Sequence, residues 1–313
     1  MQKVAWRWYS FFSFMALSLV GIVMYAALAD SAPVRTPNVA LTASVATASD
    51  APIEPDIEAR SAIVYDALQD KVLFSKNSDE QIPLASITKI MLALVAYEVL
   101  EPNTFITITP ASIMREGDDG FESGQVVRMQ DLLDFTLVAS SNDGADALAR
   151  AAAPRILEAY PAASVDSPTV WRMNELAKEI GMLQTFFTDP TGLDISINTA
   201  SNYGSARDVA QMMLYALIRQ PTAITETARD SALIESPVGA TQTAANTNKA
   251  LGEVAGLIAG KTGFTDLAGG NLAIIFDASI GRPIVVVVLG SSKEGRFEDV
   301  KNLVAIARTR TAK

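Results

Sequence analysis

Three short groups of residues in this chain have the types and spacing for acyl transfer. The first is Ser86-Ile87-Thr88-Lys89, in which a hydroxyl and an ammonium sit three residues apart at the start of a helical pattern, on one face and one turn apart. Lys89 can then reach the Ser86 hydroxyl, and unpaired N–H groups at a helix start favour the oxyanion that an acylated serine passes through. The second is Ser140-Ser141-Asn142, between two helical patterns. A loop there can aim Ser140 and Asn142 into a cleft. The third is Lys261-Thr262-Gly263, ending a β-type run and followed by Phe264. A strand edge lets an extended peptide pair by its backbone, and the glycine permits close approach. Taken singly each group has an ordinary explanation: capping for the first two and a charged strand end for the third. Ser-x-Asn also occurs at Ser75 and Ser196.

Composition sharpens the choice of base. The 313 residues include no His and no Cys, which removes Ser-His-Asp and Cys-His mechanisms, disulfides and thiolate zinc sites. A hydrolase here must use a lysine or a carboxylate moved toward neutrality. Lys89 acts as a base only when neutral, and burial together with the nearby cation Lys261 lowers an amine's pKa. A net charge of −10 without a basic block excludes nucleic acid as a partner.

The elements that hold these groups are legible from periodicity. Ala62–Tyr65 and Lys71–Ser75 read as a β-hairpin, and Ser86–Leu100 as a helix capped by Ser86. Helical patterns follow at about Met129–Val138, Asp143–Ala152, Thr169–Ile180 and Ala206–Ile218. Strands return at about Val254–Lys261, Gly270–Phe276 and Pro283–Leu289, and a helix at about Phe297–Ala307 closes the chain. Strands at both ends around a helical middle predict an α+β fold, with one largely antiparallel sheet built from both chain ends and packed between helices. No C-terminal second domain is expected.

Ahead of this domain, Trp8 to Ala29 is a membrane-length run of 22 residues without a charge, preceded by Lys3 and Arg7. Basic residues on that flank place the following chain outside the cytoplasmic membrane. Ala27-Leu28-Ala29 also fits a cleavage site, so residues 1–29 read as a membrane anchor or a signal segment. Residues 30–55, rich in Ala, Ser, Thr and Pro, read as a linker, and residues 56–313 as the catalytic domain. The acidic run Glu116-Gly117-Asp118-Asp119-Gly120 is read as a solvated turn, and no metal or cofactor is called for.

Ser-x-x-Lys, Ser-x-Asn and Lys-Thr-Gly in that order form the signature shared by penicillin-binding proteins and β-lactamases. With its flanks, the chain resembles the low-molecular-mass penicillin-binding proteins, the D-alanyl-D-alanine carboxypeptidase family of serine peptidases. The stretches that carry the likeness are Pro83–Met91, Gly181-Met182 with Asp189–Asp194, Gly260–Thr265 with Ala268-Gly269, and Gly295-Arg296. The resemblance implies a β-lactamase/transpeptidase-like fold and an extracytoplasmic hydrolase. Its substrate would be the peptidoglycan stem peptide ending in D-Ala-D-Ala, with β-lactams as inhibitors. It also implies roles: Ser86 as nucleophile, Lys89 as general base, and Ser140 with Lys261 passing a proton to the leaving amine. Asn142 would hold the substrate amide, Thr262 and Arg296 the terminal carboxylate, and the N–H groups of Ser86 and Phe264, beside Gly263, the oxyanion. A guanidinium suits a carboxylate because its planar fork binds both oxygens.

Three other readings share these motifs. Many carboxypeptidases of the family this chain resembles carry a C-terminal β-rich domain, and shorter relatives without it include D,D-endopeptidases that cut cross-links. A class A β-lactamase needs a glutamate after Ser-x-Asn, and no convincing candidate stands in Pro161–Glu179. A pseudoenzyme would bind peptidoglycan without turnover, against which the intact motifs argue.

Overall fold

The structure, a computed structural model, describes residues 55–117 and 120–312. The apolar segment 8–29, residues 30–54 of the linker, and Asp118 and Asp119 of the acidic run lie outside the described residues. Among the described residues no helix is long and apolar enough to cross a membrane.

The hairpin read from the sequence is β1 (Ser61–Asp66) and β2 (Lys71–Lys76). The C-terminal strands are β9 (Leu257–Thr265), β10 (Gly269–Asp277) and β11 (Pro283–Ser291). Between them lie three short ladders: β3 (Ile82–Pro83) with β6 (Tyr203–Gly204), β4 (Phe105–Thr107) with β5 (Val126–Arg128), and β7 (Ser231–Ile234) with β8 (Gln242–Ala245). The main sheet is antiparallel throughout, in the order β2-β1-β11-β10-β9, so the two chain ends meet at its centre. Ser61 pairs with Leu289 and Asp66 with Ile284.

Both faces of this sheet are covered, which is why its central strands are apolar at nearly every position. Ile63, Tyr65, Ala273, Ile275, Val285 and Val287 join the large helical core, whereas Ala62, Val64, Leu272, Ile274, Ile284 and Val286 face the last helix. The helices are α1 (Thr88–Val99), α2 (Met129–Ala139), α3 (Asn142–Ala159), α4 (Pro168–Ile180), α5 (Ala206–Arg219), the single turn α6 (Pro221–Ile224) and α7 (Gly295–Thr311). α1 is buried from Thr88 to Ala96, so its lack of a polar face marks it as the central helix of the large core.

The fold class stands as read, with local corrections. Ser86 does not cap α1: it lies inside a 3₁₀ turn, Ala85–Ile87, and neither that turn nor α1 has a side-chain cap. Its hydroxyl accepts from a lysine instead. β9 starts later than expected and runs through Lys261-Thr262-Gly263 to Thr265, because this segment keeps pairing with β10. α3 continues past Ala152 and carries Pro154 inside it. Proline removes one hydrogen bond there, and the buried face of α3 at Ala145, Leu148, Ala149, Ala152 and Ile156 holds the helix together.

Candidate active site

The turn that carries Ser86 is held from several sides. Leu84 N–H donates to the Asn202 carbonyl at 3.0 Å, and Ile87 N–H to the Leu84 carbonyl at 3.2 Å. Ala85 sits at φ +47°, a left-handed conformation that costs an alanine energy and persists where its surroundings fix it. Gly263 of β9 presses against the same turn: a Cβ there would stand 2.9 Å from the Leu84 carbonyl oxygen and 3.2 Å from the Ser86 nitrogen. The glycine of the third motif is required by this contact with the first.

Lys89 follows one turn later and is wholly buried. Its Nζ lies 2.9 Å from Ser86 Oγ, 2.7 Å from Asn142 Oδ1 and 2.7 Å from the Thr191 carbonyl oxygen. An amine placed against a serine hydroxyl by neutral oxygens can take that hydroxyl's proton when it is itself unprotonated. Ser140 ends α2 at φ +65°, and Ser141 caps α3 by accepting from Gly144 N–H at 2.9 Å. This two-residue link swings the chain so that Ser140 and Asn142 both face the cleft. Asn142 Nδ2 donates to the Glu116 carbonyl at 2.7 Å, which places the residue 116 loop beside the site.

The third side of the cleft is β9, an edge strand of the main sheet. Lys261, 1% exposed, donates to Ser140 Oγ at 2.8 Å and to the Thr262 carbonyl at 2.9 Å. Burial pushes its ammonium far below the usual lysine range, and the charges of Lys89 and Arg296 push the same way. Thr262 Oγ1 shares a hydrogen bond of 2.6 Å with Thr247 Oγ1, and Thr247 N–H donates to the Val138 carbonyl of α2. Phe264 is 39% exposed, with the Lys293 ammonium 4.9 Å from its ring centre. Arg296 is buried near the start of α7 and donates from Nη1 to the Gly263 carbonyl at 2.6 Å. Burial lowers its pKa, against the opposing charge of Glu294. Glu294 itself pairs with Lys249, and Glu298 with Lys301, so Arg296 is committed to the sheet and not to a surface ion pair.

Of the residues singled out from the sequence, Ser86, Lys89 and Asn142 are therefore joined by hydrogen bonds, as are Ser140 and Lys261, while Gly263 packs on the Ser86 turn and takes Arg296 on its carbonyl, with Thr262 and Phe264 beside it on β9. Sequence reasoning missed the backbone and polar groups that frame them: the Thr191 carbonyl, Thr247, the Glu116 carbonyl and Asn202. Asn202 accepts from the N–H groups of Thr188 and Asp189 and donates to Thr88 Oγ1. Asp189 in turn receives Thr191 N–H at 2.7 Å, so the Asp189–Asp194 stretch is the loop that offers Lys89 its carbonyl acceptor. The stretch was visible as part of a family pattern, but its role rests on a main-chain oxygen, which no side-chain motif announces. Among the described residues no group of three or more acidic side chains is arranged to hold a metal ion.

Residues 46–293 match the family described as D-alanyl-D-alanine carboxypeptidase. The chain is 29% identical to a D-alanyl-D-alanine endopeptidase of Escherichia coli, over 88% of this chain and 84% of that protein. It is 31% identical to a D-alanyl-D-alanine carboxypeptidase of Mycobacterium tuberculosis, over 81% and 82% of the two chains. The crystal structure of a D-alanyl-D-alanine carboxypeptidase from Mycobacterium tuberculosis superposes with a TM-score of 0.72 at 28% identity, covering 84% of this chain and 95% of that one. Two buried lysines on two serine hydroxyls and a family match spanning most of the domain lead to one conclusion: the chain belongs to the D-alanyl-D-alanine carboxypeptidase family of serine peptidases.

Proposed function

We propose that Ser86, Lys89, Ser140, Asn142, Lys261, Thr262, Phe264 and Arg296 carry out D-alanyl-D-alanine carboxypeptidase chemistry on peptidoglycan stem peptides. The observation that carries this reading is the pair of buried lysines, each within 3 Å of one serine hydroxyl. Ser86 Oγ attacks the carbonyl carbon between the two D-alanines while its proton passes to neutral Lys89 Nζ. The developing oxyanion is met by the N–H groups of Ser86 and Phe264. Breaking the C–N bond releases D-alanine, whose amine takes a proton by way of Ser140 and Lys261. Water then adds to the Ser86 ester and frees the shortened stem. Asn142 bonds the substrate amide, and Thr262 with Arg296 receives the terminal carboxylate. A β-lactam presents its strained amide to the same serine and remains attached.

Cleavage of cross-links is a second reading, supported by the endopeptidase relative, which matches across most of both chains. Where the cross-link's leaving amine also carries a carboxylate on its adjacent carbon, Arg296 can receive it as it would the terminal carboxylate. The β-lactamase reading is weakened further by the two glutamates of Pro161–Glu179: Glu175 pairs with Lys178 and Glu179 with Arg172 on α4. Family membership assigns extracytoplasmic action; we propose in addition that residues 8–29 tether the domain to the cytoplasmic membrane through the linker at 30–55.

The test is mass spectrometry after separate incubation with benzylpenicillin, a diacetyl-Lys-D-Ala-D-Ala peptide and a cross-linked muropeptide. A stable adduct on Ser86 with free D-alanine is the expected result, and Ser86→Ala abolishes the adduct while leaving the fold intact. Cleavage of the muropeptide alone makes the protein an endopeptidase. Undiminished labelling of Ser86→Ala refutes the nucleophile.

A further inference from the structure

Asn271 is a wholly buried polar residue of β10, between Gly270 and the buried apolar run Leu272–Phe276. Its amide touches three backbone groups from two other segments. The β10–β11 ladder slips just here: Gly270 pairs with Ser291 but Leu272 with Val288, which leaves one extra residue on β11. Gly290, at φ +68°, is part of that bulge. Its N–H donates to Asn271 Oδ1 at 2.8 Å. With the oxygen fixed on Gly290, Nδ2 points the other way and donates to the Pro83 carbonyl at 2.9 Å and the Leu84 carbonyl at 3.0 Å. The reverse amide orientation would set oxygen against two carbonyl oxygens and NH₂ against an N–H, so the network admits one orientation.

Pro83 and Leu84 are the residues that lead into left-handed Ala85 and then Ser86. Across the sheet, Asn271 pairs in register with Gly263, the glycine that presses on the Leu84 carbonyl and the Ser86 nitrogen. One side chain thereby ties the Ser86 turn to β10 and β11, and through the β10–β9 ladder to the strand that carries Lys261-Thr262-Gly263 and Phe264. The two N–H groups assigned to the oxyanion belong to these two separate segments, and their spacing depends on how the segments are clamped.

We propose that Asn271 is a positioning residue for acylation: it holds the Ser86 turn in register with β9, so that the nucleophile and both oxyanion donors face one carbonyl. This rests on the assignment of Ser86 as nucleophile. Truncating such a support loosens the geometry of the transition state and leaves the carboxylate site on Thr262 and Arg296 in place.

The experiment measures acylation of the full-length protein by a fluorescent penicillin in stopped flow, separating the limiting acylation rate from the dissociation constant of the non-covalent complex. It compares the parent with Asn271→Ser, Asn271→Asp and Asn271→Ala, each scaled to its folded fraction. The expected result is a limiting rate lowered about tenfold to hundredfold, with the dissociation constant changed less than about twofold. Asn271→Ser, which keeps one donor, should be faster than Asn271→Asp, which turns a carboxylate oxygen toward two carbonyls. Unchanged limiting rates, or a loss confined to the dissociation constant, overturn the proposal. Failure of all three variants to fold also overturns it, since Asn271 would then belong to the fold alone. A parent protein that forms no adduct removes the Ser86 reading and this inference with it, whereas variants acylated at the parent's rate remove this inference only.

Discussion

Two buried cations, one in the helical region and one in the cleft, are treated in opposite ways. Arg172 of α4 is 4% exposed and donates to Glu98 on α1 and Glu179 on its own helix, at 2.6 Å in each case, with its guanidinium 4.8 Å from the centre of the Tyr160 ring. Burial works against its charge, but the bonds to the two glutamates more than offset this and hold it above the usual arginine value. Lys261 is just as buried, yet its hydrogen bonds go to a serine hydroxyl and a main-chain carbonyl, and the charges that act on it are those of two other cations. A compensated cation fixes a helix pair. An uncompensated one is ready to lose its proton, which is the state that proton transfer requires.

That contrast can be broken first at Lys261. Lys261→Arg keeps hydrogen-bond donors at the site but fixes a cation that cannot shed a proton at neutral pH, and it should slow acylation by a fluorescent penicillin about a hundredfold in the folded protein. A rate within about twofold of the parent would show that proton transfer does not pass through this group. Next comes Arg296→Ala, which should reduce turnover of peptides with a free terminal carboxylate about tenfold more than that of the corresponding esters. Equal losses on both would remove its assigned role. Arg172→Met should do the reverse of Lys261→Arg: acylation of the folded protein stays unchanged, while denaturant unfolding shows about 1–2 kcal/mol less stability, a small figure because Glu179 is 57% exposed. An acylation defect in this variant would end the separation of structural from chemical cations.

The smallest effect concerns a carboxyl group. Asp134 on α2 accepts from Gln130 at 2.8 Å, and burial first, then the charges of Glu226 and Asp131, push its pKa up to about 7 against the opposing Gln130 bond and Arg229. From about pH 4 upward the unfolded chain gives up this proton, while the folded chain keeps it to about pH 7, so stability falls as pH rises across that window. Asp134→Asn should therefore be more stable than the parent by about 1 kcal/mol near pH 8, and the gap should close toward pH 4. A gap independent of pH would place the effect in packing.

Much of the site was legible because acyl transfer without histidine leaves few residue types able to do the work, and those occur here in a telling order. The long elements were legible too, since the sheet strands and helices carry sustained apolar patterns. What escaped has local causes. The ladders β3–β6, β4–β5 and β7–β8 are two to four residues long, too short for a period to show. The helical pattern read over Asp143–Ala152 stops short of Pro154, whereas tertiary packing carries α3 through that proline to Ala159. Ser86 looked like a cap because a serine at a helix start usually is one, but here its oxygen is spoken for by Lys89. Asn271 is an isolated residue whose partners are main-chain groups distant in sequence, and Thr191 acts through its own main-chain carbonyl, which accepts from the distant Lys89 ammonium.

The pairing of β1 with β11 has a temporal consequence. Ser61 meets Leu289 and Asp66 meets Ile284, so the centre of the sheet cannot close until nearly the whole chain has been made. Contacts of such long range form slowly, while α1 to α5 between the two strands can gather earlier through nearer neighbours. Ser86 and the edge strand β9 are both enclosed between these two strands in sequence, Ser86 near the first and β9 near the second. Catalytic competence is thus the last property the chain acquires, and a nascent or partly exported chain carries no assembled peptidase.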